Sequence, residues 1–183
     1  MLKLAIGVVC LSLALLVVGG QEEPVFMWHA TKGDTSIHLL GSIHAGKDGW
    51  YPLDGRIERA LAAADTVACE IDIKDPALLM RTMVLIQSRG TYPEGESLRD
   101  HISEAHWNDL VARLQGAVPT AMLERMRPGL AAATLAQTMI ARAGLDPDSG
   151  VDVYVLERAR ELETPVVSLE TPEQQIDLLF GPD

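Results

Sequence analysis

The chain has 183 residues, with 15 Lys and Arg against 26 Asp and Glu and a formal net charge of −11. No nucleic-acid partner is expected, because phosphate contacts need clustered cations. Hydrophobic residues at 48% and charged residues at 22% exclude a disordered chain, and the length suits one ordinary domain or part of a larger one.

Lys3 precedes an apolar run from Leu4 to Val18. That length fits the about 7–15 residues of a secretory h-region and falls short of the roughly 20 that cross a bilayer comfortably. Val18-Gly19-Gly20 supplies small residues before the polar start at Gln21. Residues 1–20 are therefore predicted to be a signal peptide or, if uncleaved, an N-terminal anchor that would associate the body with the membrane. Both readings place the body outside the cytoplasm, secreted or periplasmic in the cell envelope. Cys10 follows Val9, a poor match to a lipoprotein attachment site. Without the leader Cys69 is the lone cysteine, which excludes an intrachain disulfide.

Phe26–Thr31 and Thr35–Leu40 read as strands joined by Lys32-Gly33-Asp34, a hairpin. Gly41-Ser42-Ile43-His44 follows. After Pro52 a helix is predicted, with Ile57, Ala60, Leu61 and Ala64 on one apolar face. Thr66–Ile73 returns to period two, placing Val67, Cys69, Ile71 and Ile73 on one face and Ala68, Glu70 and Asp72 on the other. Strand, helix and strand at this spacing predict a right-handed βαβ unit with parallel strands.

From Pro76 to Leu145 the composition turns helical, and glycines and prolines divide it into four short helices forming a cap or insertion over 76–145. His101 and His106 are five apart, share no helix face and are assigned to the surface. Met122, Met126 and Met139 read as core filler, although a peptide groove uses the same residue. A helix runs from Val151 to about Leu162, with Val151, Val155, Ala159 and Leu162 inward. Pro165–Leu169 is a short buried strand, and Thr171 with Pro172 caps the next helix. An α/β domain ending two turns later would leave an open sheet edge, through which a homo-oligomer could pair. The fold class is α/β: a βαβ core with a mostly parallel sheet, after an N-terminal hairpin and with a helical insertion.

Ligand sites of open parallel sheets gather at the carboxyl ends of strands. His44, Glu70 and Glu170 all fall there. A His and carboxylates at one sheet edge suit a divalent metal or a general acid and base pair. For His44 the competing role is a loop histidine bonded to a carbonyl. A carboxylate at Glu70, on a strand covered on both faces, would be costly to bury and would need a metal, a raised pKa or an arginine such as Arg127 or Arg158. Asp152 at a helix start suits the helix dipole, as Glu170 suits a first helical turn. No Gly-x-Ser-x-Gly elbow, Walker A loop, His-Glu-x-x-His or Cys-x-x-Cys is present.

Trp28-His29-Ala30-Thr31-Lys32-Gly33, His38 to His44, Tyr51-Pro52-Leu53, Ala64 to Asp72, Gly150 to Tyr154, and Ser168 to Thr171 with Gln174 or Gln175 together resemble the TraB/GumN family, which includes the Tiki proteases. The resemblance implies an extracytoplasmic α/β domain similar to erythromycin esterases and ChaN-like proteins. It also implies a divalent-metal-dependent hydrolase or peptidase, using Mn, Co or Zn on a peptide or protein substrate. The family site uses two Gly-x-x-His motifs and an acid. The first maps to Gly41 and His44 and the acid to Glu70, making His44 and Glu70 the implied metal ligands and catalytic groups, with Gly41, Asp152 and Glu170 as binding residues. No other glycine stands three before a histidine, so the family's C-terminal half is expected to be missing and the site incomplete. The alternative function is a peptide-binding or sequestering envelope protein without catalysis.

Overall fold

The computed structural model describes residues 24–181. The predicted leader, Lys3 and Cys10 lie outside the described residues. No helix among the described residues is long and apolar enough to cross a membrane. The chain divides into two compact units, one ending at Leu39 and one beginning at Leu40.

In the first unit, β1 (Met27–Lys32) and β2 (Thr35–Leu40) pair with each other as the hairpin predicted. Gly33 takes φ +59° at the turn, the conformation a two-residue hairpin loop asks of its first central position and one that glycine adopts without a Cβ penalty.

The second unit begins its regular structure with α1 (Gly55–Ala62), started by the Asp54 side chain accepting the Arg56 backbone N–H. Ile57 and Leu61 are its buried residues. Ala64 lies beyond the helix end. The parallel pair that forms is β3 (Val67–Cys69) with β4 (Val166–Ser168), in the register Val67 to Val166, Ala68 to Val167 and Cys69 to Ser168. The predicted βαβ unit needs correction. The described residues hold two separate two-stranded sheets, and β3 takes its parallel partner from the far end of the sequence. The strand predicted over Thr66–Ile73 is also shorter, because Asp72 leaves the ladder to accept from Arg160 and its N–H donates to Ser168 Oγ at 2.9 Å.

Four helices occupy the segment between: α2 (Pro76–Arg89), α3 (Glu104–Leu114), α4 (Thr120–Glu124) and α5 (Pro128–Arg142). Asp75 starts α2 by accepting from Ala77 and Leu78 N–H, with Pro76 in the first turn where its missing donor costs nothing. Tyr92, Leu98, Trp107, Leu114, Leu123, Met126 and Ala131 form one buried cluster here. Of the three methionines read as core, only Met126 is buried; Met122 and Met139 are exposed. His101 and His106 are both exposed.

The chain returns through α6 (Val151–Glu161), then β4 and α7 (Pro172–Phe180). The buried face of α6 is Val151, Val153, Leu156 and Ala159. Val155 is half-buried and Leu162 lies past the helix end, because the stripe turns toward α1 and β3, which α6 contacts. At the head of α7, Thr171 Oγ1 accepts from Gln174 N–H and Gln174 Oε1 accepts from Thr171 N–H, a reciprocal cap. Helix α7 packs on α2 and α5.

Candidate functional site

The ladder between β3 and β4 runs on past the strand ends. Leu169 N–H donates to Cys69 O and Glu170 N–H to Glu70 O, both at 2.8 Å. The main chains of Glu70 and Glu170 are thereby side by side at the carboxyl end of the parallel pair. This is the edge at which open α/β sheets place their ligands.

The third contributor arrives from the loop after β2. Ile43 O accepts the N–H of Val151, the first residue of α6, at 2.8 Å. The next residue in each segment then meets its counterpart: His44 Nδ1 lies 2.9 Å from Asp152 Oδ2. Since the carboxylate can only accept, Nδ1–H donates, and the neutral imidazole presents its lone pair at Nε2. His44 Nε2 lies 3.7 Å from Glu70 Oε2, beyond hydrogen-bond range. The hydrogen bond to Asp152 is the main cause that raises the His44 pKa above its usual value. Partial burial works against it, and the charges of Asp152 and Glu70 add to it.

Asp152 does more than a helix-start acid. The head of α6 has Gly150 as its cap and no side-chain capping bond, so the Asp152 carboxylate is used on His44. Its second oxygen, Oδ1, is buried and has no hydrogen-bond partner among the described residues. An orphaned buried acceptor typically costs about 1–3 kcal/mol, and such costs concentrate at functional sites. Gly150 makes the arrangement possible, because a Cβ there would stand 2.4 Å from Asp152 Oδ1 and 3.1 Å from the His44 carbonyl carbon.

A tyrosine pair braces the same turn. Tyr51 OH donates to Ser149 O at 2.6 Å, and its ring stacks on Tyr154 with centroids 4.4 Å apart. Tyr154 OH donates to Glu58 Oε1 at 2.6 Å. Burial and that bond push its pKa to about 12. Sequence reasoning passed over Gly150, Tyr51 and Tyr154 as site residues. Their only signal was their place in the family-like segments around Tyr51 and Gly150.

The expectation that Glu70 is buried is corrected. Its side chain is 62% exposed, because β3 stops one residue earlier and Glu70 leaves the covered strand. Neither Arg127 nor Arg158 neutralises it: Arg127 sits over the Tyr92 ring, and Arg158 pairs with Glu58 and Glu161. Arg160 takes Asp72, through both carboxylate oxygens at 2.7 and 2.8 Å. The His44 side chain is 67% exposed. An exposed pair adds at most about 1 kcal/mol, so fold stability does not account for the meeting of His44 and Glu70. Gly41 precedes His44 in the chain and is half-buried, as is Glu170. Cys69, next to Glu70, has its thiol pushed up by burial first and by the charge of Asp72 second, which keeps it protonated and poorly nucleophilic.

As a metal site the donor chemistry fits in part. An imidazole with its second nitrogen tied to a carboxylate is the usual form of a histidine ligand, and a facing carboxylate supplies a second donor. Among the described residues no group of three His, Cys, Asp or Glu is arranged to hold an ion. Catalytic zinc sites commonly use three protein ligands.

The chain is thus a mixed α/β protein in which His44, Asp152 and Glu70 gather at the end of a parallel strand pair. Residues 26–183 match the model of the TraB/PrgY/gumN family, and the chain belongs to that family. It is 28% identical over 150 residues to the uncharacterized protein YbaP of Escherichia coli strain K12, covering 81% of this chain and 53% of that protein. The YbaP of Shigella flexneri matches with the same identity and coverage. The chain thus spans about half the length of these curated relatives. No solved structure matches.

Proposed function

We propose that this chain contributes part of a divalent-metal-dependent hydrolase or peptidase site of the cell envelope. The supporting observation is the pairing of His44 Nδ1 with Asp152, which leaves Nε2 facing Glu70. In this reading His44 Nε2 and the Glu70 carboxylate hold a Mn, Co or Zn ion, and Asp152 positions the imidazole and raises its donor strength. The bound ion supplies Lewis acidity, polarising a carbonyl and acidifying a water. If Glu70 does not ligate the ion, its exposed carboxylate serves instead as the base that takes a proton from the nucleophile. The acidic surroundings of Glu70, Asp152 and Glu170 favour a cationic peptide over an anionic one.

The test is thermal unfolding of the full chain with Mn2+, Co2+ or Zn2+ added alone. A ligand at a hundred times its Kd stabilises by about 2.7 kcal/mol. Stabilisation that falls in both His44→Ala and Glu70→Gln supports the reading. Stabilisation by none of the three ions, or a response that both variants retain undiminished, overturns it. Peptide affinity that survives both substitutions would instead favour a sequestering protein.

A further inference from the structure

The hairpin carries a pair of histidines that the site above does not use. Its two-residue loop, Gly33-Asp34, sets Lys32 opposite Thr35 and, counting back along both strands, His29 opposite His38. The side chains confirm that register: the two imidazoles stack with centroids 4.3 Å apart and planes 7° from parallel. Both residues are exposed. Strand alternation puts them on one face with Thr31 and Ser36, while Trp28, Ile37 and Leu39 take the other.

We propose that His29 and His38 form a surface binding site for a divalent transition ion of the Zn2+, Ni2+ or Cu2+ class. Imidazole nitrogen is a preferred donor for these ions. Zn–N bonds of about 2.0–2.1 Å put two nitrogens on one ion roughly 3–3.5 Å apart, so both rings must turn out of their parallel stack to aim a nitrogen at a shared ion. The χ2 torsion of histidine is broad, so both rings can turn a nitrogen toward a common point without moving the strands. The backbone pairing has already brought the two donors together, which lowers the entropic cost of capture. A cross-strand contact contributes only about 0.2–1 kcal/mol to a hairpin, so stability places little demand on two histidines here. With two protein ligands, the remaining coordination positions stay open to water or to a donor on another molecule. The site therefore binds reversibly and exchanges its ion. The proposal uses neither His44 nor Glu70 and does not rest on the reading of their site.

The experiment is calorimetric titration of Zn2+ alone into the untagged full chain carrying His44→Ala, which removes the other candidate ligand. One equivalent of ion is expected to bind, and binding is expected to be lost on adding His29→Gln or His38→Gln. A second measurement uses Ni2+ on the unsubstituted chain, where paramagnetic broadening of imidazole NMR signals should reach His29 and His38 at the lowest ion concentrations. The proposal is overturned if the His44→Ala chain binds no Zn2+, if binding survives both hairpin substitutions, or if the first signals broadened belong to His101 or His106. Loss of binding in His44→Ala together with an intact His29 and His38 pair would assign the ion to the His44 site and refute the hairpin site alone.

Discussion

Asp152 Oδ2 accepts a 2.9 Å hydrogen bond from His44 Nδ1 across 108 residues of sequence, and the two segments are set in place by the bond between Val151 N–H and Ile43 O immediately before them. The orientation of the histidine is therefore a property of where α6 begins.

Substituting Asp152→Asn keeps the shape and removes the charge. The titration midpoint of His44 is expected to fall toward the ordinary value of 6.5, which imidazole NMR resonances follow directly. Because folding raises the His44 pKa, the pairing contributes stability that is fully present below pH 6.5 and is lost as pH rises through the raised folded value. Urea unfolding in mild acid and in mild base should show the deficit of Asp152→Asn to be larger in acid. An equal deficit at both would mean that Asp152 acts on the fold and not on His44.

Gly150→Ala introduces a Cβ into a space bounded by Asp152 Oδ1 at 2.4 Å and by the His44 and Ile43 main chain at 3.1 and 3.2 Å. Gly150 has φ −67°, so the effect is overpacking and not backbone strain. A loss of about 1–3 kcal/mol is expected, together with a lowered His44 midpoint as the carboxylate is displaced. Chemical denaturation and the same NMR titration measure the two parts; an unchanged midpoint would show that the turn yields elsewhere.

The tyrosine brace predicts an order of ionisation. The chain has 3 Tyr, and Tyr154 is held to about 12 by burial and by Glu58. Phenolate absorbance on alkaline titration should show a late phase that Tyr154→Phe removes. Since folding raises this pKa above 10, the contribution is present below pH 10 and lost between 10 and about 12. Survival of the late phase in Tyr154→Phe would reassign it.

Leu114→Ala truncates a side chain 1% exposed in the helical cluster that also holds Leu98 and Trp107. A loss of about 2–5 kcal/mol is expected. The His44 midpoint should stay unchanged, because Leu114 belongs to the helical cluster, which includes none of His44, Glu70 and Asp152. A parallel change in both would reveal that the helical cluster and the strand edge are one cooperative lattice.

What the amino-acid sequence determined by itself is local. The turn at Gly33, the cap at Thr171, and the division of 76–145 into four helices all follow from groups a few residues apart, whose preferences act before any tertiary contact. The nearness of Glu70 to the end of β3, of Glu170 to the end of β4 and of His44 to the loop after β2 was legible for the same reason, since each lies a few residues past an extended run. Three things were decided only by the tertiary structure. Val67 pairs with Val166, a partner far along the chain that no local preference selects. Glu70 is exposed, because β3 ends at Cys69 and Glu70 lies past the covered strand. Asp152 orients a histidine where a dipole role was expected, because nothing within the first turn of α6 records which loop will lie against it. Contacts between residues a hundred positions apart depend on how layers pack, and no spacing in the sequence encodes that.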